Sequence, residues 1–110
     1  MSDRELLEAA AKAAGIELTK WCAEFPGGGV YLRRVVPEPP EPFSKELSWN
    51  PLTDDGDALR LAVDTKVLFD IQSHIGKLLI EEGAQPSRHA ATRRAIVRAA
   101  AAIEQAKEAQ

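Results

Sequence analysis

Thr19-Lys20-Trp21-Cys22-Ala23-Glu24-Phe25, Pro26-Gly27-Gly28-Gly29 and Val30-Tyr31-Leu32-Arg33-Arg34-Val35-Val36 follow one another without a break, and this stretch decides the class of fold. Thr19, Trp21, Ala23 and Phe25 alternate with Lys20, Cys22 and Glu24, the period of two expected of a half-buried strand. The Pro-Gly-Gly-Gly run is a turn, and Val30 to Val36 is rich enough in β-formers to supply the return strand. Residues 17–36 therefore predict an antiparallel hairpin. A glycine run can also cradle a phosphate, but that use needs a helix to follow it, and Val30-Tyr31-Leu32 follows as a strand.

Helical signals stand on both sides of the hairpin. Before it, Leu6, Leu7, Ala10, Ala13 and Ala14 fall at helical spacing over residues 3–14. Ser2 and Glu5 make an S-x-x-E capping box, and Gly15 stands where a left-handed cap residue is wanted. After it, four prolines between Pro37 and Pro42 impose an extended path on a long connection, residues 37–51, which Phe43, Leu47 and Trp49 pin to the core. The P-x-x-P spacing within it matches polyproline ligands, but Glu38 and Glu41 flank the prolines and a stiff linker is the better reading.

Thr53-Asp54-Asp55 then opens a short helix carrying Ala58, Leu59, Leu61, Ala62 and Val63, with acidic residues at its positive end. Residues 66–82 satisfy two periods. Val67, Phe69 and Ile71 alternate as in a strand, whereas Leu68, Ile71, Ile75, Leu78 and Leu79 also fit a helix. Val/Ile/Phe enrichment and the glycines at 76 and 83 favour a second hairpin. The last element is a helix from Ser87 to about Gln105, with Thr92, Ile96, Ala99 and Ile103 on its expected buried face and residues 107–110 as a fraying tail. The summed order is α-β-β-α-β-β-α, a single α+β domain over residues 1–110 in which helices pack on a small antiparallel sheet as a layered sandwich.

Composition narrows the classes of function. Hydrophobic residues at 45% and charged residues at 28% are ordinary globular usage, which argues against disorder along the chain. No stretch approaches the about 20 consecutive apolar residues of a membrane span. The charged start leads straight into a helix, without the pattern of a secretory signal. The single cysteine, Cys22, cannot form an internal disulfide and fits a reducing cytoplasm. A net charge of −3 argues against a dedicated nucleic-acid binder.

Trp49-Asn50-Pro51-Leu52-Thr53-Asp54-Asp55-Gly56-Asp57-Ala58 through Val63, the run Ala91-Thr92-Arg93-Arg94-Ala95-Ile96-Val97-Arg98-Ala99-Ala100 and the opening Asp3 to Gly15 together resemble a family of small phage and prophage proteins, the phage α-β-α sandwich domain. The resemblance implies a sandwich fold and a phage or prophage origin. It implies no activity and carries no catalytic residues. After Val63 the chain departs from the family pattern, with Asp64-Thr65-Lys66 in place of a short Lys-Leu-Gly-like turn, and the register of the second hairpin stays open.

The candidate constellations each have a plain alternative. Asp54, Asp55 and Asp57 around Gly56 suggest a cation loop, but the twelfth position is Thr65 rather than a bidentate glutamate, so helix capping is preferred and no metal is expected. Trp49-Asn50-Pro51 is a recognition anchor or, more simply, a core plug with a shaped turn. Arg88, Arg93, Arg94 and Arg98 gather in the first half of the last helix, the end where the macrodipole disfavours them. They face the Asp54-Asp55-Asp57 cluster, or an anionic partner at the helix start, or solvent. Cys22, His74 and His89 show no local pairing for nucleophilic catalysis.

Two functions of different class follow. The leading expectation is a non-enzymatic phage accessory protein without a cofactor, acting in the bacterial cytoplasm on a host or phage protein, for instance in host takeover or anti-defence. Its contact surface would be Arg88, Arg93, Arg94 and Arg98 with Trp49, Asn50, Asp54, Asp55 and Asp57. The alternative is a small-ligand-binding or metal-dependent phosphoester enzyme, with Asp54, Asp55 and Asp57 beside Arg93 or Arg94. The alanine run from Ala99 to Ala102 permits a homodimer without requiring one.

Overall fold

A computed structural model of the chain describes residues 2–23, 29–35, 45–67, 80 and 87–108. Among the described residues, three helices and a three-stranded antiparallel sheet make an α+β fold. The elements run α1 (Asp3–Ala14), β1 (Leu18–Cys22), β2 (Val30–Val35), β3 (Lys45–Trp49), α2 (Asp55–Asp64) and α3 (Arg88–Glu108). The expected first helix is present, and β1 and β2 pair antiparallel as the expected hairpin requires. β1 ends at Cys22 with Ala23 already in a turn, and residues 24–28, with most of the Pro-Gly-Gly-Gly run, lie outside the described residues.

α1 begins where the capping box places it. Ser2 Oγ accepts the Glu5 backbone N–H at 3.2 Å, and the Glu5 carboxylate accepts the Ser2 backbone N–H in return. The helix ends at Gly15, whose φ of 74° is left-handed and whose N–H bonds back to the last turn. β1 pairs antiparallel with β2, with Trp21 opposite Tyr31 and a register shift between Leu18 and Lys20.

The third strand corrects the reading of residues 37–51 as one connection. Lys45–Trp49 pairs antiparallel with β2, placing Trp49 opposite Tyr31 and Leu47 opposite Arg33. Its residues are exposed from Lys45 to Ser48, so alternation alone gave little signal, while Trp49 is 1% exposed and anchors the strand. β2 is the central strand. The rest of the connection and nearly all of the second hairpin expected over 66–82 lie outside the described residues. Of that stretch, Lys66 and Val67 follow α2 without forming a strand, and Ile80, expected in the return strand, is helical and exposed instead.

Trp49 and Tyr31 from the sheet, Leu7, Ala10 and Ala11 from α1, Leu61 from α2 and Val97 and Ala100 from α3 form one buried cluster. The helices thus cover one face of the sheet through these two aromatic side chains. α3 packs along α1. Ala91, Ala95 and Ala99 recur at four-residue intervals on its buried side, with Val97, Ala100 and Ala101, and small side chains let the neighbouring helices approach closely. Thr92 was expected on that face. It is exposed instead, its hydroxyl donating to the Arg88 carbonyl at 2.7 Å. Ser87 starts α3, accepting the Ala90 N–H on its hydroxyl, and Lys107 and Glu108, expected to fray, are helical and exposed. No described helix is long and apolar enough to cross a membrane.

Candidate functional site

The Trp49–Asp57 segment ties itself into a compact turn. Asn50 is its hub: its side-chain oxygen accepts the Leu52 N–H at 3.1 Å, and its carbonyl accepts the N–H groups of Thr53 and Asp54. Such an Asx turn is what Asn before Pro favours. Asp54 is the N-cap of α2, its carboxylate accepting the Asp57 N–H at 2.8 Å. Asp57 turns inward and is only 6% exposed. One of its oxygens takes the Asn50 N–H at 3.0 Å and the other takes Arg60 Nη2 at 2.8 Å. These two bonds offset part of the cost of burying the carboxylate.

Two of the expected surface arginines are committed within the fold. Arg93 donates from Nε to the Leu52 carbonyl at 2.9 Å and from Nη1 to Asp55 at 2.6 Å, with its own side chain only 18% exposed. Arg94 forms a two-pronged pair with Asp3 at 2.9 and 3.2 Å, and the hydrogen bond and charge of Arg94 hold the Asp3 carboxyl below its usual pKa. Arg98 is half-buried and carries an interaction of its own, whereas Arg88 is exposed. The expected set therefore does not form one open surface. Trp49 is buried, Asp55 and Arg93 hold each other, and Asn50, Asp54 and Asp57 line a groove on another side of the same turn.

That groove encloses about 570 Å³ between the sheet and the start of α2, with Arg33 and Leu47 on the sheet side, Asn50 and Thr53 on the turn, and Asp57 and Arg60 on the helix. Arg60 is already held by Asp57, with Asp54 at 3.9 Å. Arg33 differs. Its Nε is shielded from solvent and has no hydrogen-bond partner, and no ion pair to it is found among the described residues. A shielded guanidinium N–H without an acceptor costs roughly 1–3 kcal/mol, more for a charged group, and such exceptions call for an explanation. Beside it, Leu47 is 45% exposed, an apolar side chain at the cross-strand position. Arg33 was read only as part of the β-rich return strand Val30 to Val36. Its register against a third strand was the missing signal.

A second cluster joins α1 to the sheet. The Arg4 guanidinium lies 4.5 Å from the Trp21 ring centre, and Trp21 meets Tyr31 edge to face at 4.8 Å. Tyr31 accepts from Arg4 and donates to the Glu8 carboxylate, and burial together with that bond raises its pKa. These contacts clamp α1 to the sheet. Cys22 is a half-buried free thiol at the end of β1 and His89 is exposed on α3, while His74 lies outside the described residues. Among the described residues no three His, Cys, Asp or Glu side chains converge as a metal site would need.

No protein-family model, no curated protein and no solved structure matches the chain. The likeness to phage sandwich proteins thus rests on the residues quoted for it.

Proposed function

We propose that the chain is a non-enzymatic binding module that captures a partner protein through the groove between β2, β3 and the start of α2. The observation that carries this reading is the shielded, unpartnered Nε of Arg33 beside the exposed Leu47, a pairing of unmet polar and apolar demand that a ligand satisfies. The state of the acidic residues supports binding over catalysis: Asp54 caps α2, Asp55 holds Arg93, and Asp57 holds Arg60 and the Asn50 N–H. A phosphoester enzyme would need those carboxylates turned to substrate or metal. The phage resemblance supports a host or phage protein in the bacterial cytoplasm as the partner.

Quantitative capture from bacterial lysate by the tagged chain tests the reading, with Leu47→Glu as the paired control. Leu47 is exposed, so the variant is expected to fold with a melt close to that of the parent. One stoichiometric protein retained by the parent and lost from Leu47→Glu is the expected result. Equal retention by both chains, or a nucleotide as the sole retained species, contradicts it.

A further inference from the structure

We infer that the groove takes a monoanionic carboxylate on a short aliphatic stem, anchored by the guanidinium of Arg33; this rests on the groove being the binding site. Three observations converge on that chemistry. Arg33 lines the groove and its shielded Nε–H has no acceptor among the described residues. The planar edge of an arginine matches a carboxylate through two parallel hydrogen bonds once the side chain turns that edge to the groove on binding. Leu47 stands directly across the strand pair from Arg33 and is 45% exposed, so methylene groups next to the bound carboxylate find apolar surface there. Asp54 and Asp57 line the same groove. Their negative charge is only partly offset by Arg60, which disfavours a doubly charged phosphate more than a singly charged carboxylate.

A glutamate or aspartate side chain of a partner protein carries this group, and so does a free small acid. Both make the same contact with Arg33. The protein source follows from the proposed function, and the two are separable by affinity, because a peptide adds backbone and neighbouring contacts that a free acid lacks.

The direct readout is the Nε–H signal of Arg33 in a nitrogen–proton correlation spectrum of the whole chain, assigned by its disappearance in Arg33→Lys. The probes are isobutyrate, inorganic phosphate at matched ionic strength, and a blocked hexapeptide with one central glutamate flanked by leucines. Isobutyrate and the peptide are expected to move the signal downfield, and phosphate to leave it in place. Arg33→Lys keeps the charge but loses the planar fork, and is expected to weaken peptide binding by about tenfold or more. A peptide at least about tenfold tighter than isobutyrate identifies a protein side chain as the source. Equal affinity keeps the carboxylate assignment but overturns the protein source. Silence of the Arg33 signal toward both carboxylates, or an equal response to phosphate, overturns the carboxylate assignment. If Leu47→Glu still abolishes partner capture in that case, the groove stands as the binding site and only its ligand chemistry is wrong.

Discussion

Arg93 donates its Nε–H to the Leu52 carbonyl at 2.9 Å across 41 residues of sequence, fastening α3 to the turn that starts α2. Its second bond, to Asp55, closes the same junction. An arginine so placed is structural. Arg93→Glu removes both bonds and sets a carboxylate against Asp55, which is expected to cost about 2 kcal/mol or more. A thermal melt followed by circular dichroism should fall by several degrees at least. A melt unchanged from the parent would return Arg93 to the surface face expected from sequence.

Asp57 carries two bonds, one to the Asn50 N–H and one to Arg60. Asp57→Ala leaves the Asn50 N–H without its acceptor and Arg60 with only Asp54 and solvent, at an expected cost of about 1–3 kcal/mol in urea unfolding. Asp57→Asn keeps an acceptor but not the charge, and should fall between parent and alanine variant. An asparagine variant as unstable as alanine would mean that the charge, not the acceptor, is what Asn50 and Arg60 require.

The Asp3–Arg94 pair gives the fold a pH dependence of known sign. The hydrogen bond from Arg94 lowers the Asp3 pKa below 3.8, so the pair's contribution is present above that value and is lost as pH falls through the lowered one. The Asp3 and Arg94 side chains are 58% and 37% exposed, so solvent screening keeps the contribution below about 1 kcal/mol. The stability gap between parent and Asp3→Asn should therefore be measurable at neutral pH and shrink steadily as acid protonates Asp3. A gap that does not change with pH would place the effect in helix capping, not in the ion pair.

Gly29 adopts a φ of 103°, and a Cβ there would lie 2.4 Å from Cζ2 of Trp21. Gly29→Ala should cost roughly 1–3 kcal/mol through steric overlap and backbone strain. Near-ultraviolet circular dichroism should change with it as the indole is displaced from Tyr31. An unaltered aromatic spectrum would show that Trp21 is not packed there.

Local signals made α1, the first hairpin and the acidic start of α2 legible in sequence. Ser2, Glu5 and Gly15 act within one turn of the elements they cap, and Trp21 and Tyr31 stand opposite each other in the paired strands. β3 was not legible because its stability is non-local: Lys45 to Ser48 are exposed, and only Trp49 and the pairing with β2 hold it. The face of α3 was misjudged at Thr92 because its buried residues are alanines and Val97, so hydrophobic size was a poor guide. Asn50, Asp54 and Asp57 were found as residues of interest through their turn chemistry. Arg33 and Leu47 were not, since nothing short of the β2–β3 register brings them together.

Photo-crosslinking in host lysate locates the contact most directly, with a photoreactive side chain placed at Ser48 in the groove or at Arg88 on exposed α3. Both positions are exposed, so neither probe should disturb the fold. A single protein adduct from position 48, with none from position 88, is the expected result. An adduct from position 88 alone would move the contact to the arginine-bearing helix and contradict the groove as the binding site.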